Sequence, residues 1–186
     1  GIMGPILQSN GLANQEVFNS GAKLVAGQNA AIVTNQFIDQ FITFGGSGLT
    51  LGLVCTMLYF SKSRQYKELG KLSIIPGLFN INEPIIFGFP VVFNPIMAIP
   101  FILAPVISAI MVYTSIATGI VEPFRAISVP WTTPFIISGF LIGGVKAAIL
   151  QIAVFSMTVA VYFPFFKYQD KLAYQEEQKI GTEATV

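Results

Sequence analysis

Between positions 72 and 105 six prolines, Pro76, Pro84, Pro90, Pro95, Pro100 and Pro105, punctuate a stretch whose only charged residue is Glu83. Proline removes a backbone donor and collides with the preceding helical turn, so no straight helix accepts that density. Pro84 disfavours helical dihedrals at Glu83, which predicts a break between two short half-helices with the carboxylate at the break. Burying an unpaired carboxylate among apolar residues is costly, so Glu83 is a functional-site candidate that faces a partner or a watery cavity. A solvated loop is the plainer alternative, but the flanks Leu78-Phe-Asn-Ile-Asn82 and Pro84-Ile-Ile-Phe-Gly-Phe89 are too apolar for an ordinary exposed one. Broken backbone at membrane depth survives only inside protein or lining a cavity, so 76–95 reads as a re-entrant hairpin.

A membrane setting follows from composition. The chain is 53% hydrophobic and 10% charged, with a mean hydropathy of +0.69, whereas soluble domains carry about 25% charged residues. A net charge of +1 and the lack of a basic patch interleaved with aromatics give no basis for nucleic-acid binding. The chain has no histidine, which excludes a His-ligated metal site or a His-based triad within it. Neither a metal nor another cofactor is expected, and no residue is singled out as catalytic. Cys55, the single cysteine, lies in an apolar run and reads as a small packed hydrophobe. The first residue is Gly and no basic leader precedes it, so the chain is expected to be part of something longer.

Residues 40–60 carry no charge and, at about 1.5 Å per residue, match the thickness of a bilayer core. Gly45-Gly-Ser-Gly48 interrupts the run. A spanning helix tolerates such residues where another backbone approaches or where the helix opens, so Gly45, Gly46, Ser47 and Gly48 either serve helix packing alone or line a cavity; with Asn80 they are the candidate cavity-lining residues beside Asn82 and Glu83. Lys62, Arg64, Lys67 and Lys71 against Glu68 place the 61–71 connection in the cytoplasm by the positive-inside rule. There Tyr66, Leu69 and Leu72 fit a short interfacial helix.

Residues 96–121 form a second crossing, with Pro100 and Pro105 expected to kink it. Glu122-Pro-Phe-Arg125 reads as an exposed turn. The run 129–145, opened by Val129-Pro-Trp-Thr-Thr-Pro134, is short for a crossing; Trp131 suits the interface. Residues 147–166 make the last crossing and end in an aromatic and basic boundary at Lys167. The linear division is therefore a loop or hairpin region, 1–39; a membrane-embedded substrate-binding region, 40–166; and a cytoplasmic tail, 167–186, frayed or disordered.

Taken together, Pro76-Gly-Leu-Phe-Asn-Ile-Asn-Glu-Pro-Ile-Ile-Phe-Gly88 with Pro90 and Asn94-Pro95, Phe37-Ile-Asp-Gln-Phe-Ile-Thr-Phe-Gly-Gly-Ser-Gly-Leu-Thr50, Val129-Pro-Trp-Thr-Thr-Pro134 and the ending Tyr162-Phe-Pro-Phe-Phe-Lys167 resemble the IIC membrane component of the bacterial phosphoenolpyruvate-dependent sugar phosphotransferase system. The branch is the lactose/cellobiose/diacetylchitobiose one, and the likeness is to its C-terminal half. The resemblance implies an all-α integral membrane protein of transmembrane helices, re-entrant hairpins and discontinuous helices in the bacterial inner membrane. It also implies a disaccharide substrate, a IIB phosphocarrier partner with IIA acting indirectly, contact with lipid, and a homodimer in the full-length form. The family's sugar-proximal histidine would lie upstream of Gly1.

Within that frame Asn82 and Glu83 are the expected sugar-binding pair, since a carboxylate accepts two hydroxyls and an amide both donates and accepts. Phe79, Phe87 and Phe89 are available to stack on sugar rings, with core or lipid packing as the alternative. Two other readings stand beside this one: a proton-coupled secondary transporter using Glu83, and a packing subunit that binds no ligand.

Overall fold

In the computed structural model, which describes residues 3–89 and 91–183, Asn94 and Pro95 show how the proline-rich sequence still makes helix. Asn94 Oδ1 accepts from the amides of Ile96 and Met97 at 3.0 and 3.3 Å. Pro95 occupies the first helical position, where its missing N–H is not needed. The helix it opens, α6 below, runs from Pro95 to Ala117, and Gly119 at φ 76° follows its end. The described residues form no strand, only an isolated bridge between Ala26 and Ala30. Pro90 and residues 184–186, part of the hairpin signature and of the tail, lie outside the described residues.

In chain order the α-helices are α1 (Met3–Asn19), α2 (Asn35–Phe37), α3 (Leu51–Phe60), α4 (Arg64–Leu78), α5 (Glu83–Gly88), α6 (Pro95–Ala117) and α7 (Ile137–Glu183). Two of these, Pro95–Ala117 and Ile137–Gly181, are long and apolar enough to cross a membrane; a third crossing exists if Asn35–Leu49 and Leu51–Phe60 count as one broken span. Along α6 the residues Met97, Ala104, Ser108, Val112 and Ile116 are buried, while Ile99, Ile102, Val106 and Ile110 are exposed. An apolar outer face of that kind suits lipid rather than water.

Contacts divide the chain into two compact units, Gly1–Phe44 with Pro105–Val154 and Gly45–Ala104 with Phe155–Val186. In the first, α1 packs on the segment after α6. Asn14 is buried on α1 and donates to the carbonyls of Ala31 and Phe124 at 2.9 and 2.8 Å. Its Oδ1 accepts from Ala31 N at 2.8 Å. Gly11 lets Ala126 approach closely enough for Ala126 N to donate to Gly11 O at 3.1 Å. The expected exposed turn at 122–125 is therefore corrected: Phe124 is buried and stacks on Phe41 at 5.2 Å, and Arg125 lies over the Phe18 ring at 3.9 Å. Only Glu122 of the four faces outward fully.

The same unit contains a helix break. α2 widens into a π-helical turn, Ile38–Ile42, and α7 is interrupted by non-helical Gly143 and Gly144. Gln151, fully buried on α7, donates to Gln40 O at 2.7 Å and Ser138 Oγ at 2.9 Å. Its carbonyl accepts from Ile136 N and Gly139 N at 2.6 and 3.0 Å. One amide thus uses its whole bonding capacity on the backbone and hydroxyl that the irregular segments leave open.

In the second unit α4 continues through Pro76 to Leu78, longer than the expected interfacial helix. The C-terminal part of α7 is likewise helical to Glu183 rather than frayed or disordered, and two carboxylates explain it. Asp170, buried, accepts from Ser61 Oγ at 2.8 Å, Lys62 N at 2.9 Å and Ser63 N at 3.0 Å. Glu177 accepts from Ser63 Oγ at 2.7 Å, Gln65 N at 3.0 Å and Arg64 N at 3.1 Å. These donors lie at the N-terminus of α4, where helix amides lack internal partners and the dipole favours negative charge.

Asp170→Ala would strand the amides of Lys62 and Ser63, while Ser61 Oγ keeps Ser63 O as an acceptor at 2.9 Å, and each buried orphan costs roughly 1–3 kcal/mol. The expected outcome is a lower thermal unfolding midpoint, with faster hydrogen exchange at Lys62 and Ser63. Unchanged exchange at both amides would show that Asp170 is not their clasp.

Candidate functional site

The tip between α4 and α5 begins where α4 ends. Phe79 N and Ile81 N both donate to Pro76 O, at 2.9 and 3.0 Å, and Asn80 N donates to Gly77 O at 3.1 Å. Asn80 takes a left-handed backbone, φ 66°, a conformation that asparagine tolerates better than most residues at a helix end. The turn closes at Asn82, and Glu83 is the first residue of α5 with Pro84 directly behind it. The break lies just before Glu83, so the carboxylate stands at it as expected, but Glu83 is itself the first helical residue rather than a non-helical one. Proline is well suited to the first turn of a helix, so Pro84 starts α5 rather than keeping Glu83 out of it.

This tip docks on the second break, at 45–50. Gly45, Gly46 and Gly48 have φ of 70°, 88° and 79°, and Leu49 is also left-handed at 55°. The resulting turn leaves backbone groups that side chains satisfy. Gly45 N donates to Asn80 Oδ1 at 2.5 Å, and Asn82 Nδ2 donates to Ser47 O at 2.9 Å and Thr50 Oγ1 at 3.2 Å. Thr50 Oγ1 donates to Gly45 O at 2.9 Å, and the Tyr162 hydroxyl, from α7, donates to Gly48 O at 2.6 Å. Because Ser47 O can only accept, the orientation of the Asn82 amide is fixed. A Cβ at Gly46 would run into the Asn82 side chain, so glycine is needed there for contact as well as for its dihedral.

All seven sequence-predicted residues thus meet in one place, in two roles. Gly45, Gly46 and Gly48 are buried backbone, and Asn80 and Asn82 clasp that backbone. Ser47 and Glu83 are exposed and Asn82 is half-buried. Neither the Glu83 carboxylate nor Asn82 Oδ1 has a hydrogen-bond partner among the described residues. Of the three aromatic candidates, Phe79 and Phe87 are exposed, but Phe89 is buried against Tyr66 at 4.8 Å and Phe166 at 6.4 Å. Phe89 is therefore a core residue and is not available to a ligand.

Sequence reasoning missed Tyr162 and Thr50. Tyr162 had been read as part of an aromatic boundary, yet it is fully buried. A tyrosine buried completely needs a partner for its hydroxyl, but its partner lies 114 positions away in sequence. In the other unit a cavity of about 280 Å³ is lined by Gln8, Asn35, Gln36, Asp39 and Gln40 among others. It comes from the amide-rich opening stretch whose form the sequence left open.

Asn82→Asp tests the clasp. The substitution removes both donors and sets a carboxylate against the Ser47 carbonyl, so the 45–50 turn should loosen. In a Cys55→Ala background, a cysteine placed at Ser47 should label at least several-fold faster with a maleimide when Asn82 is Asp. Equal labelling rates would disprove the restraint.

Residues 1–105 match the family described as "Phosphotransferase system, EIIC". The chain is 48% identical over 182 residues to the "PTS system cellobiose-specific EIIC component" of Geobacillus stearothermophilus, covering 96% of this chain and 39% of that protein. It is 33% identical over 185 residues to the "PTS system lactose-specific EIICB component" of Staphylococcus aureus (strain N315), covering 96% and 32%. Among solved structures, the transporter ChbC, "the IIC component from the N,N'-diacetylchitobiose-specific phosphotransferase system", superposes with a TM-score of 0.88 at 42% identity, over 95% of this chain and 40% of that one. The chain spans only 32% to 40% of the length of these relatives.

Proposed function

Because the chain belongs to the EIIC family of the phosphotransferase system, in its lactose/cellobiose/diacetylchitobiose branch, we propose that it is the sugar-contacting part of a membrane permease. That permease imports a disaccharide of the cellobiose, diacetylchitobiose or lactose type, and a cytoplasmic IIB partner, itself served by IIA, phosphorylates the sugar. The permease works as a homodimer in the bacterial inner membrane, and this chain supplies binding rather than phosphoryl chemistry.

One observation carries the reading: Glu83 presents an unpaired carboxylate on a tip whose neighbouring amide is already tied down. Asn82 spends both donors on the 45–50 turn and keeps Oδ1 open. The pair therefore offers acceptors, which suit the hydroxyl donors of a neutral sugar. A carboxylate takes two hydroxyls in charge-assisted bonds and rejects analogues lacking them more sharply than a neutral acceptor would. Exposed Phe79 and Phe87 flank the tip and supply apolar faces for a sugar ring. With a rigid tip, less ordering remains to be done when sugar binds.

Glu83→Gln keeps the shape and weakens the acceptor. Hydrogen bonds to charged groups contribute roughly 1.5–3 kcal/mol, so disaccharide affinity of the intact permease should fall by about tenfold to a hundredfold. Uptake into vesicles should depend on phosphoenolpyruvate and ignore a protonophore. Dependence on the proton gradient instead would favour a secondary transporter in which Glu83 carries the proton. Unchanged sugar affinity in both Glu83→Gln and Asn82→Ala would remove the tip from the site, and no sugar binding by the unaltered permease would favour a packing role.

A further inference from the structure

The connection between α3 and α4 and the C-terminal part of α7 enclose a cavity of about 420 Å³ lined by Lys62, Lys167, Asp170, Lys171, Tyr174 and Gln175. Three of these six side chains are cationic and one is acidic. The acid offsets only one of those charges: Asp170 keeps its negative charge while it also accepts from Ser61 Oγ and the amides of Lys62 and Ser63. Neither Lys62 nor Lys171 makes an ion pair among the described residues, and the Lys167 ammonium donates to Phe60 O at 2.9 Å. The cavity is thus a concave site whose three ammonium groups outnumber its one carboxylate.

Lys167 links the cavity to an aromatic pair. Phe60 and Phe163 pack edge to face at 5.1 Å, and the Lys167 ammonium lies 5.8 Å from the Phe163 ring centroid. Phe60 and Phe163 are both exposed. Aromatic side chains beside lysines at the ends of apolar helices mark the level of lipid headgroups. The site therefore joins a cationic hollow to an aromatic ledge, the two halves of an amphiphile's complement. A cavity of this size holds about a dozen water volumes, enough for a phosphoglycerol headgroup.

We propose that this cavity is a binding site for an anionic phospholipid, with the headgroup phosphate among Lys62, Lys167 and Lys171 and the acyl chains along Phe60 and Phe163. Compact ammonium groups bind phosphate as point charges, and anionic lipids collect at basic pockets on the cytoplasmic side of membrane proteins. A bound lipid would supply counter-charge beyond the one that Asp170 provides. It would also brace the junction in which Asp170 and Glu177 hold α4 against α7. A lipid is favoured over a soluble acidic partner because the aromatic ledge is continuous with the lysines through Lys167.

The test uses the intact permease in detergent, with dioleoyl phosphatidylglycerol or dioleoyl phosphatidylcholine added, and reads bound lipid by native mass spectrometry and the thermal midpoint. Phosphatidylglycerol should bind and raise the midpoint, and phosphatidylcholine should not. The double variant Lys62→Gln/Lys171→Gln should lose on the order of tenfold or more in phosphatidylglycerol affinity. The control Lys67→Gln/Lys179→Gln, with the same change in net charge but no residue in the cavity, should stay within about twofold. Lys167 is left in place because of its bond to Phe60 O. Equal losses in both double variants, or none in either, would overturn the proposal. Inorganic phosphate matching the lipid's effect would reassign the site to a free anion. Loss of IIB binding in the cavity variant with lipid binding intact would reassign it to a protein partner.

Discussion

An interrupted helix in an apolar setting must find partners for its freed backbone groups, because lipid offers no hydrogen bonds. At 45–50 four side chains meet that demand: Asn80, Asn82, Thr50 and Tyr162 take up Gly45 N, Ser47 O, Gly45 O and Gly48 O. The position of Glu83 depends on this arrangement, since Asn82, the residue before it, is held by two of the bonds. The break and the candidate site are therefore one construction. The open turn is tolerated because the tip satisfies it, and the tip is ordered because the turn gives it something to bind.

The other unit solves the same problem with a single amide. Gln151 joins Gln40 O, Ser138 Oγ, Ile136 N and Gly139 N, so a π-helical widening and the irregular start of α7 are closed by one buried side chain. Ser108 adds a bond to Phe41 O at 2.7 Å. Each unit thus contains broken backbone and a small set of uncharged polar side chains that match it. Amides and hydroxyls suit this work because they satisfy donors and acceptors without the desolvation cost of a buried charge. Asp170 is the exception, and it lies in the polar junction at the start of α4.

Much of this was legible in the sequence because it depends on local chemistry. Proline density forced breaks near 76–95, the Gly45-Gly-Ser-Gly48 run marked an opening, and a lone Glu83 marked the tip. Local reasoning failed where a distant partner decides. Phe124 is buried because Phe41 and Asn14 meet it, not because of Glu122-Pro-Phe-Arg125 itself. The polar ending 168–183 is a docked helix because Asp170 and Glu177 find the amides of α4, more than 100 positions away. Gln151 had no signal beyond being polar in an apolar run. Pro84 was read through its effect on the preceding residue, whereas its tolerance in a first helical turn proved decisive.

Under the proposed function, the division of labour at the tip also bears on selectivity. Had Asn82 kept its donors free, the pair would offer both donors and acceptors and would accommodate a wider range of polar groups. With those donors committed to Ser47 O and Thr50 Oγ1, the remaining Glu83 carboxylate and Asn82 Oδ1 demand donors from whatever binds. Sugar hydroxyls meet that demand, and a ligand presenting only acceptors would leave two polar groups unpaired. The penalty grows as water is excluded, so discrimination would be sharpest when the site is closed around its ligand. On that reading, the same bonds that make a broken helix tolerable in a membrane would filter what binds beside it.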